Sequence, residues 1–195
     1  MSIHGKNFIG NELSAKGDKS SKIYDINSNE TLEGEFFHAT KQEVEEALEK
    51  ANKAFALYKQ TSQLQRAELL ETIAQEVMNL GDELVIRTMS ESNLPRPRIE
   101  GERGRTIGQL KLFATLLREG SWVEATIDTA MPDRQPLPRN DLRKMLRPLG
   151  VVSVFEASNF PLAFACAGGD TASALAAGCP VIVKSHPCHA GTSYL

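Results

Sequence analysis

The sequence predicts an α/β fold in which helices come first and a parallel β-sheet begins later in the chain. Three observations support this class: four stretches with apolar residues at helical spacing before residue 120, a proline-rich interruption at 131–138, and a strand–helix–strand pattern after Gly150. The 195 residues are enough for one sizeable core or two small ones.

The first part of the chain contains short apolar pieces separated by glycines and polar stretches. Residues 7–12 are typical of short strands and turns, 16–21 of a loop, and 35–39 of an edge strand. We therefore expect an irregular β region ahead of the helices.

Two capping boxes predict where helices begin. Thr40 with Glu43, and Ser62 with Gln65, place a hydroxyl and a longer polar side chain three residues apart, where each accepts the other residue's backbone N–H. Apolar residues behind them recur at helical spacing, which predicts one helix after each box. The members of these two stripes are Val44, Ala47, Leu48, Ala51, Phe55 and Tyr58, and then Ala67, Leu70, Ile73, Ala74 and Val77.

Two further helices are predicted: a short one around 84–89 that ends before Pro95, and a longer one over about 99–118. None of the four helices carries a chemical motif, so their apolar stripes are interpreted as packing faces. Arg96 and Arg98 are too few for a nucleic-acid patch, and they are interpreted as a solvated helix entry.

The stretch 121–147 differs from its surroundings. Residues 123–127 form a β-like run, and 141–147 are compatible with a second strand. Between them, 131–138 hold three prolines and cannot be the interior of a helix. Two strands split by such a loop predict a hairpin that leaves the main body of the protein.

A βαβ unit is predicted after Gly150. Residues 151–155 and 181–183 are apolar and rich in β-branched side chains, as in buried parallel strands. The small apolar stretch 162–177 between them is interpreted as the crossover helix. Ligands of such sheets bind at the carboxyl ends of the strands, which here are 156–159 and 184–187.

Composition argues against several classes of function. The net charge of −3 provides no basic surface for nucleic acid. No apolar run is long enough to cross a bilayer and the start lacks a secretory signal, so the cytoplasm is the expected compartment. Three cysteines without C-x-x-C spacing and four histidines without an H-E-x-x-H pair indicate no metal site.

Three segments resemble the aldehyde dehydrogenase superfamily. Residues 147–152 (RPLGVV), 158–161 (SNFP) and 174–184 (ALAAGCPVIVK) are similar to the family motifs P-x-G-V, P-W-N-F-P, and A-L-A-A-G-N followed by V-x-K-P. The resemblance spans the whole chain, more weakly before residue 120. Within the superfamily, the chain resembles α-ketoglutaric semialdehyde dehydrogenases and NADP-dependent fatty-aldehyde dehydrogenases, in residues 127–130, 137–139, 155–161, 167–173 and 184–187.

The resemblance implies an aldehyde dehydrogenase-like α/β fold with the start of a Rossmann-type parallel sheet. Residues 1–120 are then the N-terminal strands and helices of the cofactor-binding domain, 121–147 an oligomerisation β-hairpin, and 148–195 the first βαβ unit of the dinucleotide-binding sheet. The full-length enzyme is expected to be a homodimer or homotetramer, with its catalytic domain beyond Leu195.

The activity implied by the resemblance is NAD(P)-dependent oxidation of an aldehyde to a carboxylic acid, with 2,5-dioxopentanoate giving 2-oxoglutarate. In the family, a cysteine thiolate adds to the aldehyde, hydride passes to the nicotinamide, and a glutamate-activated water hydrolyses the thioester. Because that cysteine and glutamate are expected after Leu195, the present chain alone is expected to be inactive. The alternatives are a fatty-aldehyde dehydrogenase and a non-catalytic cofactor-binding or interaction module.

Asn159 is the candidate catalytic residue. A carboxamide offers two N–H donors and stays neutral. By the resemblance, it stabilises the oxyanion that forms when the thiolate attacks the carbonyl carbon. The alternative is an asparagine that caps the helix expected after Pro161.

The candidate cofactor-binding residues follow the two strands. The resemblance implies that Lys184 reaches the adenine ribose and that Ala157 and Ser158 line the nicotinamide side. Pro187 stands where many NAD-preferring members carry a glutamate, which would repel a 2′-phosphate, so NADP is favoured over NAD. The alternative for His186, a candidate phosphate contact, is a solvated loop histidine. The complete candidate set is Phe155, Glu156, Ala157, Ser158, Lys184, Ser185, His186 and Pro187.

The cysteines and the glycine pair are interpreted as structural. Cys166, Cys179 and Cys188 match no family nucleophile, and free cysteines are usually buried small hydrophobes. Gly168 and Gly169 lack the pattern of a phosphate-binding loop and fall inside the predicted crossover helix. Close packing between helix and strand is the interpretation for that pair.

Overall fold

The computed structural model describes residues 2–195. Two antiparallel hairpins come first: β1 (Asn7–Ile9) pairs with β2 (Glu12–Ser14), and β3 (Ser20–Tyr24) pairs with β4 (Thr31–Phe37). The predicted β region is thus present, with two differences. The predicted loop at 16–21 loses its last two residues to β3, and the predicted edge strand is longer and lies earlier, because β4 finds a partner in β3.

Four helices follow: α1 (Lys41–Tyr58), α2 (Gln63–Asn79), α3 (Gly81–Ser92) and α4 (Arg96–Glu119). All four were predicted, and their interiors agree with the expected spans. The third and fourth begin three residues earlier than their predicted ranges, because α3 follows α2 almost without a break and α4 accommodates a proline in its first turn. None of the helices among the described residues is long and apolar enough to cross a membrane.

Both predicted capping boxes are confirmed. The Thr40 hydroxyl accepts the Glu43 N–H, and the Glu43 carboxylate accepts the Thr40 N–H. Ser62 and Gln65 make the same reciprocal pair at the start of α2. These local bonds satisfy backbone donors that the first turn of a helix otherwise leaves free, which explains why the two boundaries were readable from sequence.

Glu43 makes the stability of the fold depend on pH. The Ser14 hydroxyl and the backbone N–H groups of Thr40 and Lys16 donate to its carboxylate, and together they lower its pKa from 4.5 to about 2. The folded state therefore holds this proton more weakly than the unfolded state does. The stabilisation is fully present above pH 4.5 and is lost as the pH falls toward about 2.

We expect Glu43→Gln to remove this part of the pH dependence. The measurement is the free energy of unfolding in urea, followed for wild type and variant through that acid range. Glu45→Gln is the matched control, since Glu45 lies on the same helix with its side chain 65% exposed. A variant profile as steep as that of wild type would contradict the role of Glu43.

The predicted βαβ unit is present, with a shorter helix than expected. Strands β7 (Val152–Phe155) and β8 (Val181–Lys184) pair in parallel, and α5 (Gly169–Ala177) lies between them in sequence. The predicted start of the helix at residue 162 is wrong, because 161–168 form turns whose backbone groups bond elsewhere. The two strands are only half buried: Val154 faces the core while Ser153 and Phe155 are exposed.

The main core lies where α2, α4 and α5 meet. Its buried side chains are small or aliphatic, which lets the three helices approach closely. They are Ala67, Leu70, Ala74, Ile107, Leu110, Ala114, Leu117, Ala172 and Ala176. A second cluster joins α3 and α4 to the turn after β7 through Leu84, Val85, Ile99 and Leu162. The core thus fixes α4 against the segment that follows β7.

The stripe of α1 differs from the packing face that was predicted. Val44 and Leu48 are 48% and 39% exposed, and the other members of the stripe are half buried. In residues 2–195, α1 touches mainly β1 and β8, so only part of its apolar face is covered.

The proline-rich excursion is a hairpin, as predicted, but its strands are shorter than the predicted runs at 123–127 and 141–147. A short 3-10 helix at Ser121–Val123 leads into β5 (Thr126–Asp128), which pairs antiparallel with β6 (Leu142–Lys144). Both strands are exposed along their whole length, including Ile127 and Leu142 at 63% and 56%. The last element is α6 (Ala190–Tyr194).

Candidate active site

The two parallel strands end side by side. Phe155 is the register partner of Lys184, and the Glu156 N–H donates to the Lys184 carbonyl at 3.3 Å, which extends the ladder by one bond. The segments that follow the strands, 156–164 and 185–189, therefore start next to each other. We call this place the carboxyl edge, and it is where parallel sheets bind ligands.

Asn159 lies in an exposed turn at the carboxyl edge. The Ala157 N–H donates to the Phe164 carbonyl at 3.0 Å, which closes 157–164 into a compact loop around the asparagine. The helix-capping alternative is wrong, because α5 begins only at Gly169 and its N-cap is Gly168. Among the described residues, no hydrogen bond engages the Asn159 side chain, so its two N–H donors are available to a ligand.

Gly168 supports this loop through a close approach of backbones. A Cβ built on it would lie 2.5 Å from the Ala163 carbonyl oxygen. The predicted reason for the glycine pair, helix–strand packing, is therefore wrong for Gly168. It is needed where the turn before α5 folds back on itself, and Gly169 adds a hydrogen bond to the same carbonyl at 3.0 Å.

Helix α4 contacts the same loop through two charged side chains. Glu102 is 1% exposed, and its Oε1 accepts the N–H groups of Leu162 and Ala163 at 2.9 Å each. Arg98 places a guanidinium nitrogen 3.4 Å from the other carboxylate oxygen and lies 4.6 Å over the Phe160 ring. The predicted solvated helix entry fits both arginines, whose side chains are 39% and 38% exposed, although Arg98 pairs with a buried carboxylate and Arg96 with exposed ones.

Sequence reasoning missed Glu102. An arginine and a glutamate four residues apart on a predicted helix are normally a solvent-exposed pair. Only the packing of α4 against the loop shows that this carboxylate is buried. A weak signal for this burial was available, because Arg98 and Glu102 lie close in sequence to Ile99, which is fully buried.

Glu156 is a buried residue that binds the segments of the carboxyl edge to each other. It was predicted as a cofactor contact, but its side chain is buried, and Oε2 accepts the His186 N–H at 2.8 Å and the Ser193 hydroxyl at 2.5 Å. Buried His189 adds a bond from Nε2 to the Ala157 carbonyl at 3.0 Å. These bonds tie 185–189 to the loop after β7. Oε2 of the carboxylate is thus engaged with protein groups, whereas the buried Oε1 has no hydrogen-bond partner among the described residues. His189 is a second residue that sequence reasoning missed.

The other predicted cofactor residues lie at the surface of the carboxyl edge. Phe155, Ser158, Lys184, Ser185 and Pro187 are exposed, whereas Ala157 and His186 are partly buried. No hydrogen bond or ion pair to a described residue engages the Lys184 ammonium. The structure therefore brings all eight candidates together, with Glu156 turned inward.

The surroundings of His186 favour its neutral form. Partial burial, and then the nearby charges of His189 and Lys184, lower the pKa of His186 below its ordinary value. Its Nδ1 accepts the Cys188 N–H at 3.2 Å, which leaves the proton on Nε2. That N–H can donate to a ligand oxygen.

The three cysteines differ in exposure. Cys179 is buried, as expected for a small hydrophobic residue, whereas Cys166 and Cys188 are exposed. The expectation of burial is thus wrong for two of the three, because they lie in the turn before α5 and the loop after β8 rather than in the core.

Known proteins resemble this chain along its whole length. Alpha-ketoglutaric semialdehyde dehydrogenase 2 of Azospirillum brasilense is 50% identical over 196 residues, which cover 100% of this chain and 37% of that enzyme. The alpha-ketoglutaric semialdehyde dehydrogenase of Acinetobacter baylyi is 46% identical over 192 residues, 98% of this chain and 36% of that enzyme. The chain therefore spans a little over a third of the length of these relatives.

The fold agrees with solved structures. The aldehyde dehydrogenase of Mycobacterium tuberculosis, solved as a complex with NAD+, superposes with a TM-score of 0.83 over 98% of this chain and 38% of that one, at 21% identity. This likeness establishes the fold that was predicted. The sequence profile of the aldehyde dehydrogenase family matches residues 15–195. On this match, and on the identity to two of its enzymes, the chain belongs to the aldehyde dehydrogenase family.

Proposed function

We propose that the protein carrying this chain oxidises 2,5-dioxopentanoate to 2-oxoglutarate, with NADP as hydride acceptor. The substrate class rests on the two semialdehyde dehydrogenases that are 50% and 46% identical to the chain. The overall reaction consumes aldehyde, oxidised dinucleotide and water, and it gives carboxylate, reduced dinucleotide and protons. The chain supplies part of this machinery, because it spans about a third of those relatives.

The observation that carries the proposal is the exposed, unbonded carboxamide of Asn159 at the carboxyl edge. When a thiolate adds to an aldehyde carbon, the C=O π electrons move onto oxygen, which becomes negatively charged. A fixed N–H donor at that oxygen lowers the barrier without itself gaining or losing a proton. The closed loop at 157–164 fixes the backbone that carries this side chain.

The cofactor site fits a dinucleotide in its chemistry. Lys184 has no protein partner for its ammonium among the described residues, and exposed Ser185 and partly buried His186 follow it in sequence. A cation, a hydroxyl and a neutral N–H can together bind ribose oxygens and a 2′-phosphate. When bound, the dinucleotide supplies the hydride acceptor, and these residues hold it at the edge.

Cofactor preference is testable at Pro187. We expect Pro187→Glu to raise the KM for NADP about tenfold or more, because a carboxylate near the 2′-phosphate adds like-charge repulsion. The KM for NAD should change little. Pro187→Gln is the matched control, since it has the same length without the charge. An unchanged KM for NADP in the Glu variant would contradict the assignment of NADP to this loop.

We also propose that residues 121–147 pair protomers into a dimer or tetramer, as a unit separate from 1–120 and 148–195. The support is a hairpin whose two strands are exposed on both faces and carry apolar side chains such as Ile127 and Leu142. Such side chains lose exposure when a second copy covers them. Light scattering of an Ile127→Asp variant tests this, and an unchanged mass would contradict it.

The test of the activity is a steady-state assay of the protein that carries this chain. NAD and NADP are each tried with 2,5-dioxopentanoate and with a long-chain aldehyde. The proposal expects the highest kcat/KM for 2,5-dioxopentanoate with NADP. A higher kcat/KM for the long-chain aldehyde would contradict this substrate and indicate a fatty-aldehyde dehydrogenase. Dinucleotide binding without turnover of any aldehyde would favour a non-catalytic module.

A further inference from the structure

We infer that Glu102, on helix α4, is a positioning residue that sets where the Asn159 carboxamide stands. The inference rests on the proposed function, because it concerns the oxyanion donor of that reaction. Glu102 does not touch the reacting atoms. It acts through the loop at 157–164, whose backbone it binds three residues after Asn159.

Glu102 accepts hydrogen bonds from two consecutive backbone N–H groups. One carboxylate oxygen accepts the N–H groups of both Leu162 and Ala163 at 2.9 Å, in a site where the glutamate is 1% exposed. Hydrogen bonds to a charged acceptor are stronger than neutral ones, and in a buried site water cannot replace them. The start of the turn is therefore fastened to a rigid helix of 24 residues.

The buried charge has one cation next to it. Arg98 lies 3.4 Å from Oε2 of Glu102 and 4.6 Å from the centre of the Phe160 ring. Arg105 approaches the same ring at 5.4 Å. Phe160 is the residue directly after Asn159, so α4 holds the loop on both sides: by its backbone at 162–163 and by the ring at 160.

The hydrogen bond that closes the loop links the segment held by Glu102 to the Asn159 carboxamide. Because Ala157 is bonded to Phe164 at 3.0 Å, a shift of 162–163 moves the whole loop rather than one end of it. A misplacement of about 1 Å in a catalytic group can lower a rate about a hundredfold. The buried carboxylate thus controls a rate while lying outside the reacting site.

The variant is Glu102→Gln, which keeps the shape and one acceptor oxygen but removes the charge. We expect kcat to fall about tenfold while the KM for NADP stays within about twofold. Glu43→Gln is the matched control: it also removes a buried, multiply bonded carboxylate, but at the start of α1. An equal fall of kcat in both variants would show a general loss of structure and would overturn the inference.

A double-mutant cycle separates positioning from mere stabilisation. Once Asn159→Ala has removed the donor, Glu102→Gln should lower kcat by less than about twofold more. A full tenfold further fall in that background would overturn the inference, since Glu102 would then act independently of the carboxamide.

Hydrogen exchange gives a readout that does not need turnover. Mass spectrometry of the protein that carries this chain should show faster exchange in peptides covering 157–164 for Glu102→Gln, and not for Glu43→Gln. Unchanged exchange would overturn the inference even in an active enzyme. If wild type oxidises no aldehyde, the proposed function fails, and the exchange result still decides whether Glu102 holds the loop.

Discussion

Replacing Asn159 by alanine is expected to lower kcat for aldehyde oxidation about 100- to 1000-fold, or roughly 2.7–4 kcal/mol. The side chain is exposed at the carboxyl edge and donates to no described protein group, so its N–H donors are free for the substrate oxygen. Deleting them removes stabilisation that exists only when that oxygen carries charge. The measurement is steady-state kcat at saturating aldehyde and dinucleotide.

Two further variants show whether the lost donor is the cause. Asn159→Asp keeps the size but presents only acceptors, and it should be at least as slow as the alanine variant because its charge repels the oxyanion. Asn52→Ala, at an exposed position of α1, should leave kcat unchanged. Activity in Asn159→Asp equal to that of wild type would show that donation by this side chain is unimportant.

Truncating Leu110 to alanine is expected to cost about 2–5 kcal/mol of unfolding free energy. Leu110 is 1% exposed and lies in the main core between α2, α4 and α5, where a cavity cannot be filled without moving a helix. Because α4 also carries Glu102, the loss should be accompanied by reduced activity well below the unfolding temperature. Urea unfolding of the variant and of wild type gives the difference.

Leu112→Ala serves as the control on the same helix. Leu112 is 59% exposed, so the same truncation removes little buried surface and should change stability by less than about 0.5 kcal/mol. Equal losses for the two leucines would mean that the buried face of α4 has been assigned wrongly.

Elements specified by neighbouring residues were predictable from sequence. The boxes Thr40–Glu43 and Ser62–Gln65 satisfy helix donors locally, so α1 and α2 begin where they were expected. The crossover helix was placed too early because small apolar residues suit both a helix and a packed turn. It starts only at Gly169, because the Gly168 and Gly169 N–H groups donate to the Ala165 and Ala163 carbonyls instead of continuing a helical ladder from residue 162.

The candidate site also has a part that was predictable from sequence and a part that was not. Parallel pairing of two apolar runs sufficed to predict that Asn159 and Lys184 would share one edge. The inward turn of Glu156 was not predictable, since its partners His186 and Ser193 lie in a loop and a helix whose arrangement is set by tertiary packing. A charged residue at a strand end is more often exposed, and nothing local marked this one as buried.

The most direct test of the role of Asn159 is a single-turnover experiment. Enzyme in excess over aldehyde, saturated with NADP, is mixed rapidly with 2,5-dioxopentanoate, and reduced dinucleotide is followed by its absorbance. We expect the first-order rate of Asn159→Ala to be about 100- to 1000-fold below that of wild type, with an unchanged Kd for NADP. A single-turnover rate equal to that of wild type would contradict the account.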